Sequence, residues 1–352
     1  MQQWLKEVAR GKRGSKDLDY ETTREVAQTI VDGNATDAQI AAYLVAQRIK
    51  AESPDELLAF IHVFQEHSEK LQVSPAITDK MIDFAGPYNG RNSFVATIPA
   101  SILLASYGIP AFLHSSDSLP PKYGTSIKDI LFELGVSVEE ESSSIVKRLE
   151  ECNLGFSWTE KFCSILQEMR PIREQIHVRT LLNTAEKLLN ISQAKSIMMG
   201  AFHRTAINKI YPIFKGLSYD RVYIVQGLEG SEDLPVHRNS FVYQLTDDSL
   251  DSFIVKPEEY GVLDKNFDKN KKLSAKEQCD IILSILNGEK LEAYNYYYQQ
   301  VLFNTGIRYY LFGAASTIKE GIEITREQLN KGVGFQQLEK WRNSQSLIKN
   351  SK

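Results

Sequence analysis

Cysteine is scarce, with Cys152, Cys163 and Cys279 the whole supply in 352 residues. An odd number at wide spacing excludes a disulfide framework and leads us to expect a reducing, cytoplasmic setting. These cysteines and the six histidines also miss the spacings of a zinc or other transition-metal site. Long apolar runs are missing too: none approaches membrane-spanning length, and Met1 to Lys6 lacks the apolar core of a signal peptide, so a soluble protein is expected. Charge of one sign is not in excess. A net charge of -4 argues against wholesale nucleic-acid binding, while a 24% charged fraction is that of an ordinary globular chain. There is no Gly-x-Ser-x-Gly elbow, no P-loop lysine motif, no dinucleotide fingerprint and no internal repeat.

What is present falls into two textures. Residues 2 to 70 read as four helices. Gly33 closes the second, Thr36 with Gln39 makes a capping box for the third, and Ser53-Pro54-Asp55-Glu56 starts the fourth. Leu57, Leu58, Phe60, Ile61 and Phe64 make this last helix apolar on more than one side. It therefore packs against something beyond the lobe, either the rest of the chain or a second subunit.

From about residue 80, strands alternate with helices, the signature of an α/β sheet. Strands are expected at 81–85, 111–113, 155–158, 196–200 and 221–225. Helices are expected at 100–107, 126–134, 143–152, around 159–190, 204–214 and, after a Ser274/Glu277 cap, through Ile285. The last helices are placed at 293–312, 316–330 and 335–345. The tyrosines at 294, 296, 297, 298, 309 and 310 suit a base-stacking platform or, preferred here, half-buried packing of one long helix. The run Lys265, Lys269, Lys271, Lys272 is broken by Asp264 and Asp268 and reads as a solvated loop.

Four places carry candidate chemistry. Between the first strand and the 100–107 helix lies Gly86-Pro87-Tyr88-Asn89-Gly90-Arg91-Asn92-Ser93, a glycine-bearing turn of the kind whose backbone N–H groups cradle phosphate, or simply a turn. His114 opens a polar loop at a strand's carboxyl end, where ligands gather in open α/β sheets. Glu232 and Asp233, past a glycine-bearing strand end, offer a hard-cation seat or an acidic turn. Arg173 and Arg179 have the forks to clamp a carboxylate or phosphate, or to form surface salt bridges.

Taken in order, these pieces resemble the anthranilate phosphoribosyltransferase (TrpD) family, within the nucleoside-phosphorylase-like glycosyltransferase superfamily. The resemblance rests on Asp37 to Leu44 with Arg48, Lys50 and Glu52 to Glu56; on Pro171-Ile172-Arg173 with Arg179-Thr180-Leu181-Leu182-Asn183; on Gln226 to Leu234; and on Leu302-Phe303-Asn304. It spans nearly the whole chain. It implies a small all-helical N-terminal lobe (residues 1–72, joined by helices from about 159–190) and a larger α/β lobe (73–352) with a mostly parallel central sheet. It further implies a cleft for 5-phosphoribosyl pyrophosphate (PRPP) with Mg2+ and a small anionic aromatic acceptor, a homodimer formed through the N-terminal helices, and service in tryptophan biosynthesis.

Residue by residue, the resemblance makes Gly86, Asn89, Gly90, Asn92, Ser93, Thr97 and His114 donor- or phosphate-binding, Arg173 acceptor-binding, and Glu232 and Asp233 metal-binding. Departures cluster at the donor side. The Gly-Thr-Gly-Gly-Asp loop becomes Gly86-Pro87-Tyr88-Asn89-Gly90, losing an N–H at Pro87 and gaining bulk at Tyr88. Lys-His-Gly-Asn-Arg becomes Leu113-His114-Ser115-Ser116-Asp117, and Gly-Pro-Leu-x-Asn-Pro becomes Glu186-Lys187-Leu188-Leu189-Asn190-Ile191. The expected function is a divergent phosphoribosyltransferase. The alternatives are a nucleic-acid-binding branch of the YbiB type, for which Arg10, Lys12 and Arg13 would start a basic stripe, or a structural paralogue without a ligand.

Overall fold

A computed structural model describes residues 1–11, 13–246 and 249–344. Lys12 and the last residue of the helix expected at 335–345 lie outside the described residues. The N-terminal lobe is built from α1 (Gln2–Val8), α2 (Tyr20–Val31), α3 (Asp37–Lys50) and α4 (Pro54–Glu66). Both expected capping boxes form, Thr36 with Gln39 and Ser53 with Glu56. Each satisfies two backbone N–H groups that a helix start leaves without partners. Glu56 does more: fully buried, it also accepts from Leu18 N, Gln47 Nε2 and Lys50 Nζ, tying α2's approach to α3.

The larger lobe carries a seven-stranded sheet among the described residues, in the order β3-β2-β1-β4-β5-β6-β7. The strands are β1 (Ile82–Ala85), β2 (Ala111–Ser115), β3 (Leu154–Trp158), β4 (Ser196–Gly200), β5 (Arg221–Val225), β6 (Ser240–Leu245) and β7 (Leu250–Val255). The first five are parallel; β6 and β7 extend the β5 edge antiparallel. After β3 the chain crosses back over β1 to form β4. The order therefore reverses between β1 and β4, and a crevice opens at their carboxyl ends.

Alternate strand residues feed two cores, as the period of two demands. Ile82, Phe84, Leu113, Met198 and Val225 join one with the helices Thr97–Ser106, Ala275–Leu286 and Asn295–Leu311. Ala85, Phe112, Ile197, Met199 and Ile224 join the other with Leu57, Phe60 and Phe64 of α4. The rest of the chain thus covers α4's second apolar side. The tyrosine-rich helix behaves as packing: Tyr296, Tyr298 and Tyr309 are buried, Tyr309 donates to Leu103 O, and Phe94 lies against Tyr297.

Two expectations need correction, and a third needs detail. The β6–β7 hairpin occupies a stretch to which no element was assigned, although Phe241, Tyr243 and Leu245 alternate with smaller or polar residues. The helices expected around 159–190 form, as the short pieces Thr159–Phe162, Ser164–Glu168, Arg170–Ile176 and Leu182–Ala185. Cys163 leaves helical geometry, and His177 enters the left-handed region at φ 53° and ends the third piece. The helix expected from residue 100 starts at Thr97, because Pro99 fits the first turn, where a missing N–H costs nothing.

Candidate functional site

The carboxyl ends of β1, β2, β4 and β5 lie on one side of the sheet, and the expected site residues gather there. The helix Thr97–Ser106 begins directly above the acidic pair. Its N-terminal amides, expected to face a phosphate, face the chain's own carboxylate instead: Thr97 N donates to Asp233 Oδ2 at 3.1 Å. A carboxylate is the charge a helix start favours. Arg91 Nη1 donates to the same oxygen at 2.6 Å, and Arg308 Nη2 and the Thr97 hydroxyl donate to Asp233 Oδ1 at 2.8 Å each. Asp233, Glu232 and Arg308 are completely buried. Burial opposes ionisation of Asp233, but the two guanidiniums overcome it and hold the carboxyl below its ordinary value.

Glu232 Oε1 lies 2.5 Å from the Thr97 hydroxyl and shares its single proton with Asp233 Oδ1, while its Oε2 is buried with no partner among the described residues. A methyl group at Gly86 would sit 3.5 Å from that oxygen. The magnesium implied by the resemblance therefore fits as an ion held by Glu232 Oε2 and its own phosphate ligands, since Mg2+ is commonly bound through one carboxylate plus substrate oxygens. It does not fit as one shared by both acids, because Asp233 is already neutralised.

The tightest anion cradle lies next to this cluster. Ser93 N donates to Glu229 Oε1 at 2.7 Å, Asn92 N donates to both oxygens at 3.0 and 3.2 Å, and Lys122 Nζ donates to Oε2 at 2.5 Å. Burial works against the charge on Glu229, yet Lys122 and the Ser93 donors outweigh it and bring its carboxyl down to about 2. Asn92 and Ser93 thus do face an anion, through backbone N–H groups, and the anion is a side chain. Asn89 and Gly90 shape the turn below: Asn89 O accepts from Gly124 N, and Gly90 has φ 69° with its α-carbon against the Gly124 backbone.

His114 is part of a buried relay. Its Nε2 meets Asp83 Oδ1 at 2.7 Å, its Nδ1 meets the Tyr88 hydroxyl at 2.5 Å, and that hydroxyl meets Thr159 Oγ1 at 2.6 Å. Nε2 of His114 donates to the Asp83 carboxylate, and the Tyr88 hydroxyl joins Nδ1 to Thr159. Burial pushes the Tyr88 phenol well above its ordinary value. Both nitrogens of His114 are committed, so Tyr88 and His114 close the gap between the β1 and β2 loops.

Arg173 sits behind the relay, 3% exposed, and donates from Nη1 to Glu186 Oε2 at 2.6 Å. Its Nη2 and Glu186 Oε1 are buried without partners among the described residues. Lys187, the next residue, lies within electrostatic reach of Glu232, Glu186 and Lys122.

Sequence reasoning missed Arg91, Lys122, Glu186, Lys187, Glu229 and Arg308 as members of the site. For Arg308 there was a signal: it lies four residues after Asn304 on a helix whose neighbouring Phe303 and Ile307 are core residues. A charge on a buried helical face needs a counter-charge. At the N-terminus, Arg10 pairs with Glu7 at 2.5 Å and Lys16 with the same acid at 3.8 Å, so the start of the basic stripe is interleaved with acid.

Comparisons with known proteins agree with this architecture. The profile described as "Glycosyl transferase family, helical bundle domain" matches residues 2–68, and "Glycosyl transferase family, a/b domain" matches residues 81–335. The anthranilate phosphoribosyltransferase of Caldicellulosiruptor saccharolyticus is 28% identical over 329 residues, 93% of this chain and 95% of the relative. That of Aquifex aeolicus is 26% identical over 338 residues, 96% and 97%. Among solved structures, anthranilate phosphoribosyltransferase from Thermus thermophilus matches with TM-score 0.78 at 22% identity, covering 97% of this chain and 98% of that one. The Saccharomyces cerevisiae enzyme in complex with PRPP and Mg matches with TM-score 0.80 at 19% identity, covering 98% and 97%. At such identities the solved structures speak for the fold alone. The profiles reach further, and the chain belongs to the glycosyl transferase family composed of a helical bundle and an a/b domain, where its curated relatives are anthranilate phosphoribosyltransferases.

Proposed function

We propose that this protein binds a phosphoribosyl diphosphate donor at the carboxyl ends of β1, β2 and β5 and transfers the phosphoribosyl group to a small acid. The observation that carries the reading is the cradle at Glu229, where two adjacent amide N–H groups and a lysine ammonium converge on one anion. Those are the donors a phosphate needs. In such a transfer the ribosyl carbon becomes cation-like as diphosphate leaves, so the protein mainly orients the reactants and stabilises charge on the departing group. Asn92 N, Ser93 N and Lys122 hold that group once Glu229 has swung away. Magnesium bound at Glu232 Oε2 would supply further neutralisation of the departing diphosphate. Pairing of two chains through α1 to α4 belongs to the same reading, with Ile49 of α3, 63% exposed, among the apolar residues it would cover.

Purified protein supplied with PRPP, 2-aminobenzoate and Mg2+ is expected to release diphosphate. No release, together with no donor-dependent rise in melting temperature, sinks the reading.

Glu229 makes a sharper test. Since it occupies the cradle, Glu229→Gln is expected to raise the affinity for inorganic diphosphate roughly tenfold or more, read by calorimetric titration. An unchanged or weaker affinity means that the cradle serves Glu229 alone. The same residue has a pH signature. Its folded-state carboxyl, at about 2, lies below the ordinary 4.5. It therefore stabilises the fold above pH 4.5, and that contribution fades as pH falls toward 2.

A further inference from the structure

The stretch 264–273, ahead of the helix Ala275–Leu286, meets the start of the helix Asn295–Leu311 around a hollow of about 270 Å3. It is small for a ligand pocket, with room for a single ring system. Much of its wall is aromatic. Phe94 lies against Tyr297 with ring centroids 5.1 Å apart, and Phe267 is stacked on His237 at 4.1 Å, whose Nδ1 meets the Tyr296 hydroxyl at 2.8 Å. Asp264 ties the loop to the helix, accepting from Asn266 N at 2.9 Å and from Asn295 Nδ2 at 2.7 Å. The rings are thus held in place before anything enters, which lowers the ordering cost of binding.

One buried polar side chain of the lining is unmatched. Gln300 is fully buried, and both Nε2 and Oε1 of its amide lack a partner among the described residues. Leaving a donor and an acceptor unpaired side by side is costly, and the pair is met by one group that accepts beside one that donates. Charge narrows the choice. Asp264, Asp268 and Glu292 line the hollow against Lys271 alone, an excess of carboxylate that disfavours an anionic occupant. A flat ring with an exocyclic amine next to a ring nitrogen meets both demands, since the amine donates to Oε1 and the ring nitrogen accepts from Nε2. Glutamine pairs with the edge of adenine in this way.

We infer that this hollow binds an uncharged, amine-bearing nucleobase of the adenine kind, as free base or nucleoside, with Gln300 reading its edge and the ring lying against Tyr297 and Phe267. The seat is distinct from the Glu229 cradle. Asn92 and Ser93 stand between the two, because both line the hollow while their N–H groups hold Glu229. An occupant therefore sits behind the cradle and not in it, and its binding is independent of the transfer reading.

The test is calorimetric titration of the 352-residue chain, free of donor and metal, with adenosine. Saturable one-to-one binding is expected. Purine riboside, which lacks the exocyclic amine, is expected to bind roughly tenfold or more weakly, and Gln300→Leu is expected to weaken adenosine by a similar factor. Because leucine replaces an unpaired amide with an apolar group of similar size, the melting temperature of Gln300→Leu is expected to hold or rise. Tyr297→Ala, at a half-buried wall position, provides a second variant, with roughly fivefold or more lost through stacking and Gln300 left in place. AMP is expected to bind more weakly than adenosine. No adenosine binding at millimolar concentration overturns the inference, as does equal binding of purine riboside or unchanged affinity in folded Gln300→Leu. Tighter binding of AMP than of adenosine also overturns it and reassigns the hollow to an anion.

Discussion

Asp233→Ala is expected to destabilise the protein by about 3–5 kcal/mol, the cost of breaking a buried ion pair from one side. Asp233 is the shared partner of Arg91 and Arg308, and it also takes the Thr97 amide at the helix start. With it gone, two buried guanidiniums lose the one carboxylate that pairs with them among the described residues; Arg91 keeps the Ser93 hydroxyl and Phe94 O, Arg308 keeps the Thr97 hydroxyl, and Nε and Nη1 of Arg308 already lack partners among the described residues. Glu232→Gln supplies the contrast. Its Oε2 accepts nothing among the described residues, and its Oε1 contact with Thr97 is one an amide oxygen can keep, so a loss of about 1 kcal/mol or less is expected. Urea unfolding of the two variants side by side measures the difference. Equal stabilities would show that the acidic pair is not the asymmetric arrangement described here, one member structural and the other open.

Glu186→Ala is the second large effect, again about 3–5 kcal/mol, because Arg173 is left buried beside a side-chain-sized void. Here the loss is expected to be partly reversible by solute. Acetate or formate is small enough to enter the void and restore the ion pair, so the melting temperature of Glu186→Ala rises with added acetate and not with chloride at equal ionic strength. The double variant Arg173→Met with Glu186→Ala removes both charges and is expected to recover most of the stability without acetate. If Glu186→Ala melts like the wild type and ignores acetate, the Arg173–Glu186 pair carries little of the packing at the back of the cleft. The outcome bears on function as well, since a guanidinium that needs Glu186 to stay folded is not waiting for an acceptor.

Local signals were the legible part of this sequence. The capping boxes at Thr36 and Ser53 are written within four residues, and both form. So do the five parallel strands, whose runs of apolar residues report burial on both faces. The order of motif-like segments carried the family resemblance, and with it the two-lobed architecture. What was not legible are the pairings over long separation. Nothing near Arg308 announces Asp233, 75 residues earlier, and nothing near Asn92 announces Glu229, 137 residues later. Thr97 was read as a hydroxyl for a ligand because its neighbours resemble a phosphate motif. The fold instead sets it where two internal carboxylates converge. The hairpin of β6 and β7 was missed for another reason. Phe241 of β6 and its cross-strand partner Ile254 of the edge strand β7 face solvent, so the apolar residues do not all point inward, and alternation alone looks irregular.

Gly200 has a consequence of a different kind. At the tip of β4 its α-carbon is pressed so closely by Ser231 that a methyl group there would lie 2.0 Å from backbone carbon, and the Phe202 ring is wedged under Gly230 in the same way. The turn bearing Glu229, itself at φ 53°, rests on that wedge. A guest that tilts Phe202 must therefore move the lever that holds the carboxylate in its cradle. Whatever factor by which a molecule resting on Phe202 alters anion affinity at the cradle, the reverse factor is identical, so order of addition would change the kinetics and leave the final balance untouched.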